Sequence, residues 1–159
     1  MQTSRFVLTL VAALGSGVIG GVFFGFSTFV MRALARIPAA QGIAAMQSIN
    51  VVVLNGWFLG VFLGTAAACA AAILVALLRW QAPGSGYLLV GGLLYLVGTL
   101  LVTMVCNVPR NDVLAAVVPT APDAAGVWTG YVTSWTFWNH VRTAAAIAAA
   151  AAFTLALLA

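Results

Sequence analysis

Four long apolar stretches, at about residues 6–30, 51–78, 86–106 and 139–158, alternate with shorter segments where polar residues and prolines gather. A membrane-crossing helix needs about 20 mainly apolar residues, and each stretch is long enough. In lipid the backbone must satisfy its own hydrogen bonds, which favours helices. The pattern predicts an all-α membrane protein. Its form would be an antiparallel four-helix transmembrane bundle, a single domain over residues 1–159 with both termini at one face. The first stretch, beginning MQTSRFVLTL, outruns a secretory signal and has no small-residue cleavage site before the first loop. It reads as a span.

The connections are unequal. Residues 79–86, RWQAPGSG, hold a proline and two glycines and predict a tight turn. The other two are longer and lie at the opposite face. Residues 39–50 can form a short interfacial helix with Ile43, Met46 and Asn50 on one side. Three prolines follow Cys106 in NVPRNDVLAAVVPTAPD, and Pro109 argues against a regular helical turn there. Asp123 is positioned to N-cap a second interfacial helix, at about residues 123–138. Trp128, Tyr131, Trp135 and Trp138 recur along it every three or four residues, the usual sign of an aromatic belt at the membrane interface. Continued into the last span, that helix would reach about 35 residues, so a bend near Trp138 is expected.

Composition supports lipid as the solvent. Charged residues make up 5% of the chain and hydrophobic ones 64%, against about 25% charged in a soluble domain. Lys and Glu are absent; six arginines with Asp112 and Asp123 give a net charge of +4. Arginines scattered near segment ends are not the clustered patch that binds nucleic acid. Cys69 and Cys106 lie in apolar segments without C-x-x-C spacing and read as small buried hydrophobes. A structural zinc site would need about four ligands.

Antiparallel threading brings most polar residues to one face. Ser27, Thr28, Arg32 and Arg36 end the first span, and Asn50, Asn55 and Trp57 open the second. Asn107, Arg110, Asn111 and Asp112 follow the third; Trp135, Asn139, His140 and Arg142 introduce the fourth. The other face keeps Arg5, Arg79 and small polar residues. This asymmetry predicts a polar chamber in one half of the bundle, lidded by the two long connections. The arginine distribution makes the busy face cytoplasmic, unless Arg110 and Arg142 serve the chamber and the count evens out. Trp135, Asn139 and Arg142 share a helix face at i, i+4 and i+7, with His140 about 100° from Asn139.

Two readings of this cluster stand. In one it is a site. In the other Arg142 snorkels to headgroups and His140 sits in the interface among tryptophan anchors. Asn50, Asn55, Asn107, Asn111 and Asp112 converging from other segments favour the site, although any one asparagine can serve broken backbone at a helix end. Gly17, Gly21 and Gly25, and likewise Gly56, Gly60 and Gly64, recur at intervals of four. They predict close packing within the bundle, with homo-oligomer contact as their second use. The alanine-rich last span predicts close packing too.

The chemistry is bounded by what the chain owns. One histidine is too few for a two-histidine metal triad. No glycine-rich loop follows a strand, and there is no nucleophile elbow. Metal and cofactor are therefore both read as none. Cofactor-free acid–base chemistry remains, with His140 as base, Asp112 or Asn139 orienting it, and Arg142 with the asparagines holding an anionic intermediate.

The segments FSTFVMRALARIPAAQGIAAMQSINVVVLN, CNVPRNDVLA and YVTSWTFWNHVRTAAA resemble the signature segments of the anthrone-oxygenase-like family. These are small four-span membrane proteins, a domain of unknown function in most bacterial members, and the resemblance runs over about residues 15–153. It implies a multi-pass protein of the bacterial inner (plasma) membrane. Fungal relatives are associated with oxidising anthrones by O2 without an identified organic cofactor, which implies an oxidoreductase acting on a hydrophobic aromatic or quinol-type substrate. His140, Arg142 and Asp112 would then be catalytic. Asn50, Asn55, Trp57, Asn107, Asn111, Trp135, Trp138 and Asn139 would bind substrate, the tryptophans stacking on rings in a water-poor pocket. The partners implied are the lipid bilayer and a hydrophobic small molecule. The alternative is a non-enzymatic protein that binds or passes a lipid or small hydrophobic metabolite.

Overall fold

Each apolar stretch folds as one long helix in the computed structural model, which describes residues 2–159. Helices α1 (Thr3–Leu34), α3 (Gly56–Leu78), α4 (Ser85–Ala115) and α5 (Ala124–Leu158) are all long and apolar enough to cross a membrane. The shorter α2 (Ala39–Val52) joins the first two spans. Among the described residues there is no strand. α1 packs against α3 and α5, and α4 packs against the same two, so the spans form a four-sided ring.

Small residues close the half of the ring nearest the termini. Ala149 and Phe153 of α5 share a core with Ala12, Ala72, Ala76 and Leu88, and Ala146 and Ala152 of the same helix are buried as well. The glycines that permit close approach are not the two predicted stripes. A Cβ on Gly92 would lie 2.5 Å from Ile73 Cγ1 and 2.9 Å from the Cys69 carbonyl oxygen, and one on Gly98 would lie 2.5 Å from Ala145 Cβ. A Cβ added at Gly17, Gly21, Gly56, Gly60 or Gly64 would meet no atom of another element within 4 Å. The expectation of within-bundle packing fails for these five. On α1 the inward face is set by Ser16, Ile19 and Phe23, and Gly17 and Gly21 fall outside it because each residue turns about 100°.

The other half is wider and carries a cap. α2 lies across it, and Gln47 Nε2 donates to the carbonyls of Leu114 and Val117, both at 2.9 Å. Met31, Ile43, Met46, Leu114, Ala124, Trp128, Tyr131 and Trp135 form a separate core beneath α2. The aromatic stripe of α5 is therefore not an interfacial belt along its length. Trp128, Tyr131 and Trp135 are buried and stack in sequence, with ring centroids 5.7 and 6.1 Å apart. Exposed Trp57 and Phe137 supply an aromatic fringe instead.

Two helices depart from expectation. α5 runs without interruption through Trp138 for 35 residues, and Asp123 occupies its N-cap position without a side-chain capping bond. α4 continues past Pro109 to Ala115, because two π-helical segments, Leu94–Leu101 and Thr103–Asn107, precede the proline. The wider turn eases the contact between a proline ring and the carbonyl one turn back. The same device sets register. An α-helix drifts by about 40° for every four residues, whereas π-turns lengthen the repeat. Tyr95, Thr99, Thr103, Asn107 and Asn111, spaced by four, consequently all hydrogen-bond to neighbouring spans. α1 has a π-segment of its own at Phe26–Val30, which holds Ser27 buried.

Candidate functional site

Arg142 lies at the centre of the wide half, 6% exposed. Its Nε donates to Asn139 Oδ1 at 2.9 Å, and its Nη1 lies 3.3 Å from Thr103 Oγ1. The guanidinium is sandwiched, with Cζ 3.9 Å from the Phe23 ring centroid and 4.9 Å from that of Trp135. Cations over ring faces gain most where water is excluded. The only carboxylate side chains in the chain are Asp112 and Asp123, and both are exposed. Arg142 thus carries its charge into the bundle with neutral dipoles and ring faces as its partners.

Asn139 anchors that arrangement. It is fully buried, and its Nδ2 donates to the Phe23 carbonyl at 2.8 Å and to Ser27 Oγ at 2.7 Å. Ser27 and Thr143 share a hydrogen bond of 3.1 Å, and Thr143 donates to the Asn139 carbonyl at 2.6 Å. The side-chain amide is therefore locked, and its oxygen is turned to Arg142.

A second tier lies toward the membrane face. Asn111 Oδ1 accepts from Tyr131 Oη at 2.9 Å and from Trp135 Nε1 at 2.8 Å, with Asn50 of α2 close to the same hydroxyl. Asn107 is 1% exposed, and its Nδ2 donates to the Trp135 carbonyl at 3.2 Å. Its Oδ1 is buried without a partner, as is Thr136 Oγ1. Buried polar atoms are rarely left so, and Asn107 Oδ1 can accept a hydrogen bond from a bound O–H or N–H group.

The polar side chains meet as a packed network, and the open space lies on its flank. A cavity of about 270 Å³ between α4 and α5 is lined by Pro109, Arg110, Val113, Leu114, Val127, Tyr131 and Ser134. That is near the lower end of small-molecule sites. Arg110 donates to the Cys106 carbonyl and stands 6.0 Å from the Trp138 ring. Tyr131 belongs to both regions, with its ring in the cavity wall and its hydroxyl on Asn111.

The sequence-predicted residues divide accordingly. Asn107, Asn111, Trp135, Asn139 and Arg142 are brought together, with Asn50 at the edge, and Trp138 is half-buried beside Arg110. Asn55 is exposed and caps α3, its Oδ1 accepting from the Trp57 and Phe58 amides at 3.1 and 3.0 Å. Such a cap stabilises a helix by about 1 kcal/mol. Trp57 is 90% exposed. Asp112 is exposed on the turn beside Asn111, and His140 is exposed on the outward side of α5. Phe23, Ser27, Thr103 and Tyr131 complete the network without having been singled out as site residues. For Thr103 the signal was the period of four along α4.

The anthrone oxygenase family model matches residues 57–152, more than half of the chain. The chain belongs to the anthrone oxygenase family. No curated protein or solved structure matches it. The family region contains the α4 and α5 parts of the site, while Phe23 and Ser27 come from α1, ahead of it.

Proposed function

We propose that this member of the anthrone oxygenase family is a cofactor-free oxygenase of the bacterial inner (plasma) membrane. It acts on a hydrophobic aromatic or quinol-type substrate of the anthrone kind. The observation that carries this reading is Arg142, a buried cation whose partners are neutral dipoles and two ring faces. Such a group is matched to an anion that arrives with the reaction. An anthrone supplies one: loss of a ring CH2 proton gives an enolate. O2 then adds at that carbon, and loss of water leaves a second carbonyl, so that CH2 + O2 becomes C=O + H2O.

In this scheme the α4–α5 cavity admits the aromatic ring system from the lipid. Arg142 stabilises the enolate and peroxide oxygens, and Asn107 Oδ1 accepts a hydrogen bond from bound substrate. Asn139 holds the guanidinium in place, while Asn111 positions Tyr131 and Trp135. Of the two exposed groups able to take the proton, Asp112 is favoured over His140. It stands on the turn that carries Arg110 into the cavity and Asn111 into the network. A second reading, binding or passage of a hydrophobic metabolite without turnover, draws on the cavity's lining, which includes Tyr131 but not Arg142.

The test is oxygen consumption and anthraquinone formation from an anthrone by the protein in lipid nanodiscs, measured above the rate in empty nanodiscs. R142Q is expected to lose the excess rate, and D112N to lose more of it than H140A. A wild-type rate equal to that of empty nanodiscs, with the compound bound unchanged, would favour the second reading.

A further inference from the structure

The end of the bundle away from the site has a cavity of its own. Ser4, Arg5 and Leu8 of α1, with Val75 of α3 and Arg79 just past its end, line a cavity of about 250 Å³. Two of the chain's six arginines therefore face one small space. The walls are built in place. Arg5 donates to the Pro83 carbonyl, which ties α1 to the α3–α4 turn. Ser85 Oγ donates to the Arg79 carbonyl at 2.7 Å, and Gly84, at φ +75°, closes the turn in a conformation suited to glycine. Trp80 and Tyr87, both about half exposed, flank the same turn, and such residues settle at headgroup depth. Below the arginines the walls become apolar, as Leu8 and Val75 begin the seam between α1 and α3.

A cationic mouth at headgroup depth above an apolar seam matches one chemistry, a phosphate group carried on acyl chains. We propose that this cavity binds the phosphate-bearing headgroup of an anionic phospholipid, with its acyl chains along the α1–α3 seam. Bidentate guanidinium geometry suits phosphate oxygens, and basic pockets between spans are suited to such headgroups. The site is independent of the oxygenase reading, because none of its residues touches the Arg142 network.

The experiment is lipid competition on the full chain, with phosphatidylglycerol against phosphatidylcholine read by native mass spectrometry. At about fivefold per arginine, wild type is expected to retain phosphatidylglycerol roughly thirtyfold over phosphatidylcholine. R5Q/R79Q should fall close to parity, while R32Q/R36Q, altered at the other face, should keep the preference. R5K/R79K conserves the charge and should retain most of the discrimination, and it serves with single R79Q if the double variant does not fold. Equal preference in wild type and R79Q, or an equal loss in R32Q/R36Q, would overturn the proposal. Displacement of phosphatidylglycerol by millimolar inorganic phosphate would overturn the lipid source and assign the site to a soluble anion.

Discussion

Replacing Arg142 by methionine separates chemistry from stability. The guanidinium is buried in the bundle, where a cation costs about 3 kcal/mol on the scale of helix insertion. Contact with the Phe23 and Trp135 faces returns about 2 kcal/mol when desolvated. The 2.9 Å bond to Asn139 returns a further 1.5–3 kcal/mol or so. R142M removes both sides of this balance, and methionine fills much of the space with a flexible apolar chain. The expected net effect is a destabilisation of only about 0.5–2 kcal/mol. Turnover should fall much further, by about 10²–10³, the typical loss for one donor to a developing oxyanion. Stability would be read from SDS titration followed by circular dichroism, and turnover from O2 uptake with an anthrone in nanodiscs. A destabilisation beyond about 4 kcal/mol would show that Arg142 chiefly bolts the helices together. Turnover within about tenfold of wild type would remove it from the chemistry. R142K keeps the charge but loses the planar fork between Asn139 and Thr103, so it should recover little turnover.

Two further outcomes test the packing. Asn111→Leu leaves the Tyr131 hydroxyl and the Trp135 indole N–H without their shared acceptor and should cost about 2–4 kcal/mol in the same SDS titration; a change below about 0.5 kcal/mol would refute the latch. Gly92→Ala drives a methyl into Ile73 and the Cys69 carbonyl and should cost about 1–3 kcal/mol, whereas Gly60→Ala, with open space around it, should stay within about 0.5 kcal/mol. Equal effects of the two would refute the assignment of inward and outward glycines.

The span count was readable because length and hydropathy alone identify a membrane helix. The inward placement of Asn139 and Arg142 was readable too, since a three-residue step keeps two side chains on one face. The same arithmetic turned His140 about 100° from Asn139, and the structure has it on the outward side. What did not show was the change of helical period. π-turns carry no composition of their own, so α4 read as ending near Cys106 when its polar face continues through Asn107 and Asn111. The aromatic stripe was ambiguous for a different reason. Trp and Tyr with an apolar body and a polar tip suit both a belt and a wet-edged core, and only the position of α2 over Trp128 and Tyr131 decides for the core. Glycines spaced by four mark a face without saying whether it looks in or out.

The two halves of the bundle depend on each other. An uncompensated cation persists inside a membrane bundle only where its surroundings hold it, and here every direct partner is itself fixed. Asn139 is locked by Phe23 and Ser27, Trp135 is tethered to Asn111 and Asn107, and Thr103 is turned inward by the π-segments of α4. Those supports sit on three different spans, so their relative positions must be set elsewhere. The alanine and glycine contacts of the opposite half do this, with helices held too close to slide or rotate freely. That division explains why the buried amide and guanidinium side chains avoid the narrow half, which buries only small hydroxyls such as Thr9, Ser16 and Thr65. It also explains why Asn107 Oδ1 can remain unpartnered, since the scaffold around it does not collapse to satisfy it. A site held in this way is preorganised for an anion before any substrate arrives, the condition under which fixed dipoles and charge lower a barrier without rearranging.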